Sequence, residues 1–148
     1  MSKFAVTITD AFKSKVVNPA YLPHLDNEHR TQIFFGGSSS GKSYFLAQRT
    51  ILDLINGGHN YLIVRKVART LSKSVFNEIC KAINFLKLAP YFSVNKSDLV
   101  ITCDNGYQIL FAGLDDVEKI KSITPAKGVI TDIWVEEATE TEDRKSVV

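Results

Sequence analysis

Cysteine is scarce in this chain, with Cys80 and Cys103 the two examples in 148 residues. That spacing matches neither a metal-binding knuckle nor a secretory disulfide framework, so both thiols are expected as reduced core residues of a cytoplasmic protein. No apolar run approaches the roughly 18 residues that a membrane-crossing helix needs, and the N-terminus lacks a signal-peptide core. A membrane role is not expected. Nothing repeats, and no tract is of low complexity. Neither sign of charge dominates: 18 Lys and Arg stand against 16 Asp and Glu, for a formal net charge of +2. Such a balance argues neither for nor against a nucleic-acid partner. What is left is an ordinary globular composition, 45% hydrophobic and 23% charged, in a chain long enough for one real core.

Against this plain background one stretch stands out. Gly36-Gly37-Ser38-Ser39-Ser40-Gly41-Lys42-Ser43 reads as G-x-x-x-x-G-K-[ST], the pattern of a phosphate-binding loop. Glycine at its two ends lets the backbone turn so that successive N–H groups face inward as a nest for phosphate oxygens. Lys42 would reach the terminal phosphates and the Ser43 hydroxyl would bind Mg²⁺, while the helix that follows adds its positive N-terminal end. The plainer alternative is a flexible Gly/Ser loop. A chance match in a chain of this length is roughly one in two hundred, and Gln32–Phe35 before it reads as a short strand, with Tyr44–Ile55 after it as a helix.

Upstream, Phe4–Ile8 alternates enough for a short strand, and Asn18–Leu25 is a turn-rich approach to the loop. Tyr21 is a candidate for stacking on an adenine ring, though plain packing is the simpler role, and His24 reads as a surface residue. Downstream, the broad apolar face of residues 44–55 suits a helix lying on a sheet, and Asn56-Gly57-Gly58 stops it. Tyr61–Val64 reads as a strand buried on both faces. Strand, helix and strand at this spacing imply a right-handed parallel crossover and the α/β class. Arg65 and Lys66 follow the strand, where ligands of open parallel sheets bind. They could meet phosphate or DNA, or simply be solvated. Thr70–Leu88 reads as an amphipathic helix with Leu71, Val75, Ile79, Ile83 and Leu86 inward. Residues 99–103 and 107–111 flank Asp104-Asn105-Gly106 as a hairpin, and Asp115 or Asp116 opens a short helix.

The last apolar run, Val129–Val135, ends in Glu136-Glu137. Adjacent carboxylates at a strand end would usually be solvated or capping. Beside a phosphate loop they fit the second half of an ATPase site, one holding Mg²⁺ and the other deprotonating the attacking water.

Together these segments resemble the N-terminal ATPase part of a phage terminase large subunit of the PBSX type. The resemblance covers about Pro19 to Thr139. It rests on Gly36–Tyr44, on Val64-Arg65-Lys66, on Phe111-Ala112-Gly113-Leu114-Asp115-Asp116 with Lys119–Ile123, and on Trp134-Val135-Glu136-Glu137-Ala138-Thr139. The resemblance implies a P-loop NTPase of the RecA-like class with an additional catalytic glutamate, built on a mostly parallel sheet flanked by helices with an inserted hairpin. It makes Gly36, Gly37, Ser38, Ser39, Ser40, Gly41, Lys42, Ser43 and Tyr44 the nucleotide-binding residues, Ser43 and Glu136 the metal residues, and Lys42 and Glu137 the residues of catalysis. ATP and Mg²⁺ would be the cofactors. The implied partners are double-stranded phage DNA, a terminase small subunit, the portal protein and further copies in a ring, in the cytoplasm of a bacterial host.

Two departures from the family pattern stand in this chain. Ser38 occupies a position where many relatives carry an arginine. The chain also ends at Val148, shortly after the acid pair, without a coupling motif or nuclease domain. Residues 1–148 are therefore expected to be one partial ATPase domain, incomplete at its C-terminus. In its subclass the strand after the acid pair lies between the P-loop strand and the acid-bearing strand, so that central slot is expected to be empty or closed by direct pairing. The alternatives from other classes are a P-loop kinase, and a prophage remnant that binds nucleotide without turnover.

Overall fold

A computed structural model describes residues 6–36 and 41–136. Its elements in chain order are α1 (Asp10–Val16), α2 (Lys42–Asn56), β1 (Tyr61–Arg65), α3 (Val75–Phe85), β2 (Phe92–Asn95), β3 (Val100–Cys103), β4 (Gln108–Gly113), α4 (Val117–Ser122) and β5 (Asp132–Val135). Single 3₁₀ turns stand at Leu22–His24, Ala68–Thr70 and Ala89–Tyr91.

The sheet has five strands in the order β2-β3-β4-β1-β5. β4 and β5 flank β1 in parallel, while β2, β3 and β4 form an antiparallel meander. The sheet is therefore mixed rather than mostly parallel, and the hairpin read at Asp104-Asn105-Gly106 joins β3 to β4. Its glycine takes φ +97°, as a short turn of this kind demands. β1 is buried along Tyr61–Val64, because helices cover one face of the sheet and α4 with its trailing loop covers the other.

The larger core packs α2 and α3 against Ile63, Ile109, Phe111 and Trp134. Phe76 meets Phe111 edge-on with ring centroids 5.0 Å apart. Of the positions read as inward on residues 70–88, Leu71, Val75, Ile79, Ile83 and Leu86 are all buried. The helix itself is shorter than expected, because Ser74 precedes it and the chain before it turns in 3₁₀ geometry. On the opposite face Leu62, Val64, Leu110 and Ala112 form a smaller cluster with Ile120, Ile123 and Ile130.

Asn60 is fully buried just ahead of β1, where it ties three segments together. Its Nδ2 donates to the carbonyls of Lys127 and Val129 at 2.6 and 3.0 Å. Its Oδ1 accepts from the Gln108 N–H at 2.8 Å. Its own N–H donates to Thr131 Oγ1 at 2.9 Å. Every polar atom of the side chain thus has a partner, which is what burial requires. Nearby, Tyr61 donates its hydroxyl to Asp53 Oδ2. Burial raises both groups above their ordinary ranges, and the Asp53 charge raises the phenol further.

Two expectations for the N-terminal third are corrected. Residues 31–36 have no regular structure, so Gln32–Phe35 is not a strand. A strand exists through a ladder partner, and none of the described residues pairs with this segment. Ile33 and Phe35 are accordingly 66% and 89% exposed. β5 likewise pairs on one side, with β1, and no described strand adjoins its other edge, so direct closure of the two segments is not what occurs. The strand read at Phe4–Ile8 lies partly outside the described residues. Residues 6–8 are not strand, and α1 begins soon after, capped by Thr9 Oγ1 accepting the Phe12 N–H at 3.1 Å.

Candidate nucleotide site

α2 begins at Lys42 because Gly41 ends the preceding loop in the left-handed region, at φ +80° and ψ 6°. Few residues other than glycine take that conformation readily. The Gly41 carbonyl accepts the Phe45 N–H at 2.9 Å, which starts the helical ladder. The helix runs for 15 residues, long enough for its positive end to matter to an anion. Lys42, the first residue of the helix, turns back to donate from Nζ to the Gly36 carbonyl at 3.4 Å. The Lys42 side chain thus reaches back to the start of the glycine stretch. Gly37, Ser38, Ser39 and Ser40 lie outside the described residues.

Ser43 is one residue into α2, and its hydroxyl donates to Glu136 Oε1 at 3.3 Å. Glu136 is delivered by β5: it follows Val135 directly, and its N–H donates to the Val64 carbonyl at 2.9 Å, continuing the β1–β5 ladder by one bond. A hydroxyl from the helix start and a carboxylate from the carboxyl end of a parallel strand therefore share one position. Two such oxygens side by side are a hard donor set that suits Mg²⁺, and the carboxyl ends of parallel strands are where open α/β sheets hold ligands. Glu137 lies outside the described residues.

Tyr44 turns away from this meeting point and packs edge-on against Phe85, with centroids 5.9 Å apart. Burial, together with the neighbouring Glu78 charge, raises its phenol above the usual range. Tyr21 stacks on Phe45 at 4.9 Å with the rings 12° from parallel, so one of its faces serves as packing. One ring carbon of Tyr21 lies 3.8 Å from where a Gly41 Cβ would stand. Beside it, a cleft of about 280 Å³ is lined by Tyr21, His24, Asn27, His29, Gln32 and Phe34, among others. Gln32 holds the cleft wall in shape: its Nε2 donates to the carbonyls of Asn27 and His29, both at 2.9 Å, and its Oε1 accepts from Arg49 Nη1 at 2.6 Å. His24 is exposed, with its ring edge-on to Phe34.

Arg65 ends β1 at the same end of the sheet as Glu136, and exposed Lys66 follows it. Both backbones are engaged by the next strand: Leu114 N–H donates to the Arg65 carbonyl at 2.8 Å and Asp115 N–H to that of Lys66 at 3.2 Å. This is the structural work of the Phe111–Asp116 segment. A Cβ on Gly113 would lie 2.4 Å from Ala68 N and 2.6 Å from Ala68 Cα, so only glycine allows the two chains to pass. Asp115 Oδ1 then accepts the Ala68 N–H at 3.0 Å, and Asp116 Oδ1 caps α4 by accepting the Lys119 N–H at 3.2 Å. Sequence reading named Gly113 within the motif that carries the resemblance but gave it no structural role, and it did not name Asn60. Both roles depend on partners distant in the chain, which local periodicity does not register.

Comparison with known proteins identifies the family. The family model described as phage terminase large subunit matches residues 28–147. The terminase large subunit of Bacillus phage SPP1 is 36% identical over 124 residues, which cover 82% of this chain and 29% of that protein. The PBSX phage terminase large subunit of Bacillus subtilis (strain 168) is 32% identical over 127 residues, covering 85% of this chain and 28% of the relative. The chain thus spans less than a third of the length of these curated relatives. Its match to the family nevertheless runs from the segment before the glycine loop to beyond the acid pair, and the protein belongs to the phage terminase large subunit family.

Proposed function

We propose that this chain is part of the ATPase domain of a phage DNA-packaging motor, with a P-loop at Gly36–Ser43 that binds Mg-ATP. The observation that carries the reading is the 3.3 Å contact between Ser43 Oγ and Glu136 Oε1. It unites the two stretches that a P-loop ATPase needs side by side and that the sequence keeps far apart. In this reading Gly36, Gly41 and the α2 N-terminus surround the phosphates with N–H donors, and Lys42 exchanges its carbonyl contact for phosphate oxygens. Ser43 and Glu136 hold Mg²⁺, which when bound neutralises charge on the phosphates. Glu137 takes the proton of the attacking water. The proposed partners are double-stranded DNA, a small subunit, a portal and further copies of the chain, acting in the bacterial host. A kinase reading finds no support in the relatives matched.

The test is nucleotide binding and turnover on one preparation. Mg-ATP is expected to raise the melting midpoint of the wild-type chain and to leave that of Lys42→Ala unchanged, while the two unliganded midpoints agree. Double-stranded DNA should stimulate any hydrolysis observed. A normal Mg-ATP shift in Lys42→Ala would remove the P-loop assignment.

A further inference from the structure

The end of the sheet opposite Ser43 and Glu136 carries a second constellation. Asp53 sits in the last turns of α2, His59 in the link to β1, and Asp132 opens β5. Gly57 and Gly58, both at φ +85°, reverse the chain after the helix and return His59 towards Asp53. The three side chains place one ring nitrogen of His59 and one oxygen of each carboxylate within 4.8 Å of one another. His59 Nδ1 and Asp132 Oδ2 are already 2.7 Å apart and share a proton.

We propose that Asp53, His59 and Asp132 form a binding site for a divalent transition-metal ion, with Zn²⁺ the best match. A zinc ion would take the place of the proton between His59 and Asp132. Zinc–nitrogen and zinc–oxygen bonds of about 2.0–2.2 Å set tetrahedral ligands roughly 3.4 Å apart, so small side-chain rotations suffice to close the set. One imidazole with two carboxylates is a donor set for zinc and its neighbours in the first transition row. Mg²⁺ prefers six oxygens and would not choose it. Solvent can deliver the ion, since the His59 and Asp132 side chains are 40% and 30% exposed. The Asp53 carboxylate is held by the Tyr61 hydroxyl, which donates to its Oδ2, the kind of outer support that ligating carboxylates use. Arg49 Nε stands 3.9 Å from the same carboxylate. Its Nη1 and Nη2, however, are committed to Gln32 Oε1 and the Asn27 carbonyl, so its closest bonds point elsewhere. The bound ion would fasten the start of β5 to the end of α2. It involves none of the residues assigned to nucleotide.

Calorimetric titration of the chelator-treated chain with Zn²⁺ tests the proposal. The expected result is one equivalent bound per chain, with a rise in melting midpoint that equimolar Mg²⁺ does not give. His59→Ala and Asp132→Asn should each weaken binding by on the order of 100-fold or more, and Tyr61→Phe by roughly tenfold. Lys42→Ala should bind zinc normally, so failure of the nucleotide reading and failure of this one are separable. Cys80→Ser should also bind normally, which separates the site from thiol capture. Substitution with Co²⁺ in the wild type should give visible bands without thiolate charge transfer, a readout that needs no variant to fold. No saturable equivalent, thiolate bands, or wild-type affinity in both His59→Ala and Asp132→Asn would overturn the proposal.

Discussion

Ser43 Oγ and Glu136 Oε1 lie 3.3 Å apart although 93 positions separate the two residues in the chain. One rides the first turn of α2 and the other the end of β5, so their meeting reports the packing of helix on sheet. If the two oxygens serve one Mg²⁺, Ser43→Ala and Glu136→Gln should each raise the Mg²⁺ concentration needed for nucleotide-induced stabilisation by roughly tenfold or more, the scale of a lost contact to a charged group. The double variant should be no worse than the sum of the singles, as for groups acting on one ion. Magnesium titration of the nucleotide-dependent melting shift measures this. An unchanged Mg²⁺ requirement in both single variants would separate the pair from any metal.

Asn60→Ala is expected to destabilise the fold by about 3 kcal/mol or more. It removes the partner of the Gln108 N–H and of the carbonyls of Lys127 and Val129, three bonds worth roughly 1 kcal/mol each. Asn60→Asp should be at least as harmful, because a carboxylate would face two carbonyl oxygens. Chemical denaturation checks both, and a loss within 1 kcal/mol of zero would mean that water replaces the amide.

Gly113→Ala should cost about 1–3 kcal/mol or more, as overpacking does, because the Ala68 backbone already occupies the space of the new methyl. The prediction separates close backbone approach from loop freedom as the reason for glycine here. A variant with the wild-type denaturation midpoint would refute it.

Ile133 and Val135 are 65% and 42% exposed, and they continue the rows of Leu62 and Val64 across the β1–β5 register. Among the described residues, the same sheet face is covered at one side and bare at the other. The wild-type chain should therefore self-associate as concentration rises, and Ile133→Lys should reduce that association with a stability change of about 0.5 kcal/mol or less. Sedimentation over a concentration series decides it. Equal association in wild type and variant would place the contact elsewhere.

Much of the fold was legible because its signals are local. Apolar spacing and the Asn56-Gly57-Gly58 stop marked α2, a run of four buried residues marked β1, and Asn105-Gly106 marked the β3–β4 turn. Misreadings arose where structure depends on a neighbour. Gln32–Phe35 has strand composition but no described ladder partner, and β2 went unread because Phe92–Asn95 is short and mostly exposed, with little pattern of its own. The glycine loop and Glu136 could be named from residue type and order. That Ser43 and Glu136 touch is a property of packing, which no spacing along the chain encodes. The cluster of Asp53, His59 and Asp132 escaped for the same reason, its members coming from three separate elements.

The β1–β5 pairing also bears on the order in which the molecule can assemble. Asn60 and Thr131, which bond to each other at its start, are 71 positions apart, whereas β3 and β4 are joined by a tight turn. The entropy of closing a loop grows with its length, and non-local pairings come late in folding for that reason. The β3–β4 ladder and the packing of α2 on α3 and β1 need nothing from β5. β5 then joins as an edge with one neighbour, and Glu136 reaches Ser43 only when it does. Lys42 and Ser43 thus stand at the start of a helix whose packing needs nothing from β5, and Glu136 arrives with the closing step.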